Sequence, residues 1–194
     1  MNFGAPRLLG TLGFVAVAIL AGPAAAIPFE DPTSGFKIDP PAPFFVQPAK
    51  SNSYDFAAVI NSTTGTPATG EGDSYLCQVG FKAQAESADL TQEEINLQVQ
   101  APDWLDNAAS ALAATFDVTG KTTFMLDGAT GIELVGQPKD THGAAVFVSI
   151  IDTPKGRTTL NCATPSAGLQ DALNQFRLIR ASITLPGSGK LPPD

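Results

Sequence analysis

AAVFVSIIDTPKGRTTLNCATPSAGLQDALNQFRLIRASI, residues 144–183, decides the fold. Its first part, AAVFVSIID (144–152), is apolar on both faces, which predicts a strand covered on both sides and central in a sheet. TPKG (153–156) is a Pro/Gly turn. RTTLNC (157–162) alternates, with Thr158, Leu160 and Cys162 on one face, so the pair reads as an antiparallel hairpin. The period then changes from two to 3.6. Leu169, Ala172, Leu173, Phe176, Ile179 and Ile183 form one apolar helical stripe. Thr164 is placed to cap this helix and Pro165 to occupy its first position. Arg177 and Arg180 fall in its last turns, where cations complement the helix dipole, and Pro186 stops it.

Upstream lie two more strands, KTTFMLD (121–127) and IELVGQ (132–137), separated by GATG and followed by the turn PKDTHG. Together the four segments predict a meander of hairpins. Before them, DLTQEEINLQVQAPDWLDNAASALAATF (89–116) is helical. Thr91 with Glu94 makes a capping box, Pro102 interrupts the run, and Leu105, Ala109, Leu112 and Phe116 share a stripe after it. SYDFAAVINS (53–62) and SYLCQVGFKA (74–83) read as a long-looped hairpin. Residues 28–48 hold Pro28, Pro32, Pro40, Pro41, Pro43 and Pro48, which allow only a short edge strand around Phe36–Ile38 and an apolar plug at 44–46. The order strands, helix, strands, helix predicts an α+β domain. Its mostly antiparallel sheet has about six to seven strands, with two main helices packed on its faces.

DVTGKTTF (117–124) contains Gly120-Lys121-Thr122, the end of a phosphate-binding loop. That loop needs a glycine at 115, which is Thr115, and must follow a strand and open a helix. Here the predicted order is helix, then strand. Gly120 is therefore expected to end the helix or start the next turn.

The N-terminus has Arg7 as its only charge before Glu30, an apolar run from Leu8 to about Gly22, and Pro23-Ala24-Ala25-Ala26. This order predicts a signal peptide over residues 1–26, cleaved after Ala26, because the run falls short of the ~20 residues that span a bilayer. No cysteine stands there to take a lipid. The expected organisation is a signal peptide (1–26), a Pro-rich segment (27–34), one α+β domain (35–185) and a loose tail (186–194) in a periplasmic or extracellular compartment. Formal net charge is −8 for the whole chain and −9 after loss of Arg7. Such a chain is repelled by phosphate backbones and anionic lipid heads, so nucleic acid and membrane surfaces are poor partners.

Cys77 and Cys162 are the only cysteines. An isolated pair in an oxidising compartment points to a disulfide, and each lies on the apolar face of its strand. The alternative is two buried thiols packed as small hydrophobes. Neither has a CxxC partner or a neighbouring cation to make it reactive.

GFKIDPPAPF (35–44), the helix between two strand blocks, and GRTTLNCATPSAGLQDALNQFRLIRASI (156–183) together resemble the PsbP-like superfamily of exported α/β sandwiches. The first is similar to its short Gly-aromatic strand running into prolines. The last is similar to its final strand, turn and amphipathic C-terminal helix. The resemblance covers most of residues 35–185. It implies a non-catalytic accessory or binding role, with a protein partner or small ligand, and brings no catalytic residue. The chain departs from the lipoprotein members in lacking a lipid-attachment cysteine, and its cysteine pair matches no pattern of the group.

The residues themselves supply little chemistry. His142, the only histidine, sits in the predicted turn KDTHG, and no serine has the Gly-x-Ser-x-Gly frame of a hydrolase. Asp140 and His142 are two possible metal ligands where zinc wants three or four. A hydrolase or metal-dependent enzyme built on His142 and Asp140 is the alternative to a binding module, and no cofactor is implied. The pairs Glu93-Glu94 and Asp103/Asp106 suit helix N-termini better than a glycosidase cleft. EGDS (71–74) and DGAT (127–130) lack the ligand frame of a calcium loop. Asn61-Ser62-Thr63 is a formal glycosylation sequon with no supporting context. Trp104, the single tryptophan, either anchors its helix to the core or stands exposed at a partner interface.

Overall fold

The computed structural model of the protein describes residues 28–140 and 143–187. The expected signal peptide, most of the expected tail and His142 lie outside the described residues. Ten strands and three α-helices follow in the order β1 (Phe29–Asp31), β2 (Phe36–Ile38), β3 (Phe44–Ala49), β4 (Phe56–Ser62), β5 (Cys77–Ala83), α1 (Gln92–Gln100), α2 (Pro102–Ala113), β6 (Phe116–Leu126), β7 (Ala129–Pro138), β8 (Ala144–Thr153), β9 (Gly156–Pro165), α3 (Leu169–Ala181) and β10 (Ile183–Thr184). The fold is α+β. Seven strands form one antiparallel sheet in the order β3-β4-β5-β9-β8-β7-β6, and β1-β2-β10 form a second.

Strand alternation sends side chains to two separate cores. On one face of the large sheet, Val79, Phe147 and Leu160 pack with Phe36 and Ile38 of the small sheet and Phe176 and Ile179 of α3. On the other face, Ile132 and Leu134 of β7 meet Ile95 and Val99 of α1 and Ala109 of α2. Each fully buried Phe, Leu or Ile contributes roughly 1.5–3 kcal/mol of burial free energy. The expected helices thus lie one group per face. The central strand is β9 rather than β8, which is its neighbour toward β6. Both strands are buried on the α3 face, and the meander β6-β7-β8-β9 forms as expected.

Three local expectations are corrected. Gly120 is not a helix cap. The helix stops at Ala113, and residues from Phe116 onward form the edge strand β6, with an irregularity between Val118 and Gly120. Val118, Thr119, Thr122 and Thr123 are β-branched, and their strand preference wins over continuation of the alanine-rich helix. Thr164 is not a helix cap either. It is a buried residue of β9, and its hydroxyl donates to the Ala68 carbonyl. The strand runs on to Pro165, a single 3-10 turn follows at Ser166–Gly168, and α3 opens at Leu169. Third, the apolar plug at 44–46 is an edge strand, β3, which tolerates Pro48 because edge positions can forgo a donor. The capping box of Thr91 and Glu94 forms as expected, and α2 opens with Pro102 as its first residue.

The segment 27–34 also contributes more than a lead-in. β1 pairs with β2, and Phe29 packs its ring 4.9 Å from that of Phe56. The β6–β7 hairpin turns on Asp127-Gly128, both at positive φ, as a two-residue turn requires. Gly156, the first residue of β9, has φ 142, and a Cβ there would stand 2.2 Å from the Lys82 carbonyl oxygen. Gly156→Ala is therefore expected to lower unfolding free energy by about 1–3 kcal/mol. Urea denaturation checks this, and an unchanged midpoint would contradict the packing.

Candidate functional site

Helices α1 and α2 cover β6, β7 and β8 and leave the β5–β9 part of that sheet face open. Two depressions follow the same flank of α2. The first, about 330 Å3, has Gln78 of β5, Val148 of β8 and Asn161 of β9 as its floor. Its walls are Leu112 and Phe116 on one side and Tyr75 on the other, with Asp73 of the β4–β5 loop at the rim. Gln78 and Asn161 are directly paired across β5 and β9. They project from the face opposite to Cys77 and Cys162, because side chains alternate along a strand. Both are half-buried. Among the described residues, neither side-chain amide has a protein hydrogen-bond partner.

The second depression, about 360 Å3, lies between α2 and Ile150 of β8. Trp104 and Arg157 line it. Arg157 donates to Asp152 from Nε at 2.7 Å and Nη2 at 2.9 Å, and its guanidinium sits 5.7 Å from the centre of the Trp104 ring. The Asp152 hydrogen bonds hold the Arg157 proton more firmly than usual, against the opposite pull of burial. Trp104 is half-buried: it packs against the second core and also lines the depression.

The expected disulfide is present. Cys77 and Cys162 face each other across β5 and β9. Asp140 is exposed at the end of the described part of the β7–β8 turn. Its expected partner His142 lies outside the described residues. Among the described residues no three His, Cys, Asp or Glu side chains gather as a metal site. Asp106 pairs with Lys121, so the lysine of the phosphate-loop look-alike is held by a carboxylate across a wide hollow of about 620 Å3 between α2 and β6. Glu94 caps α1 through Thr91.

One charged cluster was not foreseen. Glu133 of β7 points to the α3 face and is 4% exposed. Arg177 donates to it from Nε and Nη2, the latter at 2.7 Å, and Arg180 donates from Nη1 at 2.6 Å. Arg180 also lies 3.6 Å over the Phe124 ring. Desolvation pushes the Glu133 carboxyl up, yet the two guanidiniums outweigh it and hold the group below its ordinary range. Burial loosens the Arg180 proton despite its partner. The two arginines are thus bound to a sheet carboxylate instead of only complementing a helix dipole. The signal for this was present in IELVGQ, where Glu133 interrupts an apolar strand. Gln78 and Asn161 stand on the strand faces opposite the cysteines, but only the β5–β9 pairing brings them together.

No protein-family model and no curated protein sequence matches the chain. Solved structures do. The chain is similar to cyanobacterial PsbP (CyanoP) from Synechocystis sp. PCC 6803, with TM-score 0.53 and 12% identity over 88% of this chain and 98% of that one. It is also similar to LpqN, described as involved in cell envelope biogenesis, of Mycobacterium tuberculosis, with TM-score 0.53 and 15% identity over 82% of this chain and 90% of that one. The chain has a PsbP-like fold. Among the described residues no helix is long and apolar enough to cross a membrane.

Proposed function

We propose that this PsbP-like domain is a non-catalytic accessory or binding module, exported after cleavage near Ala26, that works by docking on another protein of the periplasm or envelope. One observation carries the reading. The clustered charges are paired with each other, as in Glu133–Arg177–Arg180 and Asp152–Arg157, while the concave surface beside α2 offers apolar walls and unpartnered amides. Charges locked in ion pairs stabilise a scaffold. Amides and aromatics on an open face bind. The likeness to CyanoP and to LpqN, whose description places it in envelope biogenesis, supports the same reading.

Cross-linked affinity purification from the native exported fraction, with mass spectrometry, tests it. One stoichiometric protein partner is expected. Recovery of the protein alone would overturn the accessory role. Recovery only from the cytoplasm would overturn the compartment.

A further inference from the structure

We infer that the open face beside α2 binds an extended, basic segment of a partner protein, anchored by apolar side chains at positions i and i+4. This rests on the binding-module reading above and adds the class of ligand. The two depressions share the flank of α2 and the strand β8. Val146 and Val148 line the first and Ile150 the second, with residues of this face alternating along the strand. The four-residue step along the strand from Val146 to Ile150 spans roughly 13 Å. An extended peptide laid along α2 places its i and i+4 side chains on one side at the same spacing. One side chain would enter between Tyr75, Leu112 and Phe116. The other would meet Trp104.

The floor explains the choice of a peptide. A side-chain amide offers one carbonyl acceptor and two N–H donors in a plane, the same complement as a backbone peptide group. Gln78 and Asn161 are neighbours across two strands, and among the described residues nothing uses either amide. They can grip a peptide group between the two apolar anchors, as sheet-edge and groove binders grip main chain.

Charge sets the sign of the partner. Asp73 stands at one end and Asp103 at the other. Among the described residues the one cation lining either depression, Arg157, is held by Asp152. The chain as a whole carries −8. An acidic segment is therefore repelled, and a basic one is drawn in with a salt-dependent affinity.

The test uses 15N-labelled protein starting at Ile27 and NMR titration with the capped peptide Lys-Leu-Ala-Gln-Ala-Leu-Lys. Saturable shifts are expected at the Gln78 and Asn161 side-chain amides and at the Trp104 indole. The same peptide with glutamates for lysines should bind at least fivefold more weakly. Gln78→Leu and, in the wall, Tyr75→Ala should each weaken the lysine peptide about tenfold while leaving the rest of the spectrum in place. No saturable shift, equal affinity for the glutamate peptide, or shifts confined to another face would overturn the proposal. So would saturation of the same amides by a neutral oligosaccharide such as cellotriose. The affinity purification separates the two readings. A protein partner kept by both variants sinks the groove assignment and leaves the accessory role standing.

Discussion

Removing the Cys77–Cys162 bridge, by the double substitution to alanine or by reduction, is expected to lower unfolding free energy by about 4–5 kcal/mol. The magnitude comes from the 85-residue separation of the two cysteines, which sets how much freedom the bridge removes from the unfolded chain. Its position in the fold argues the same way. In the large sheet every neighbouring pair of strands is consecutive in the chain except β5–β9. That junction joins the β3–β5 sheet half to the β6–β9 meander, and its contacts have the highest closure cost. The bridge lies on that seam, Cys77 opposite Cys162, with both side chains in the first core. Intact mass should rise by two hydrogens on reduction. Denaturant unfolding with and without reductant should show the loss in the native protein and none in the alanine pair. A reductant effect below about 1 kcal/mol would mean that the unfolded chain is already compact.

Much of this architecture could be read from the chain because its strongest signals are periodic. The cysteine alternation and the stripe from Leu169 to Ile179 each reported a burial pattern that the fold kept, whereas the apolar run at 144–152 is buried on the α3 face and only half-buried on the other, where Val146, Val148 and Ile150 line the depressions. Boundaries failed where two local preferences compete. Phe116 continues a helical stripe, yet it begins a β-branched run, and the strand took it. Thr164-Pro165 has the chemistry of a helix start, but antiparallel pairing with Ala144 and Ala145 extends β9 through both residues. The face proposed for binding was not legible for a different reason. Gln78 and Asn161 are 83 residues apart and ordinary in composition. Only the β5–β9 pairing sets them side by side, and only the placement of α2 over β6 and β7 leaves them uncovered. Pairing across such a separation leaves no mark in either segment.

Glu133→Gln is expected to destabilise the protein by about 3 kcal/mol, toward the lower end of what loss of one partner from a buried ion pair costs. The carboxylate is 4% exposed and Arg180 13%, so Arg180 would lose its counter-charge where water cannot replace it. Arg177 is 42% exposed and can turn to solvent, which is why the upper end of the range is not reached. The acid limb of stability should change with it. The folded carboxyl holds its charge to lower pH than the ordinary value of about 4.3, because two guanidiniums donate to it. Below that value the unfolded chain takes up a proton that the folded chain still refuses. The contribution is therefore complete above the ordinary glutamate range and is lost as pH falls toward the folded pKa. Glu133→Gln should flatten stability across that acid window and leave the slope near neutral pH unchanged. Adding Arg180→Met should restore part of the loss, since the stranded charge is then gone and the methionine can pack on Phe124. If the single substitution costs no more than the double, the cluster is held by solvent and not by burial, and α3 is docked by its apolar stripe of Leu169, Ala172, Phe176 and Ile179 alone.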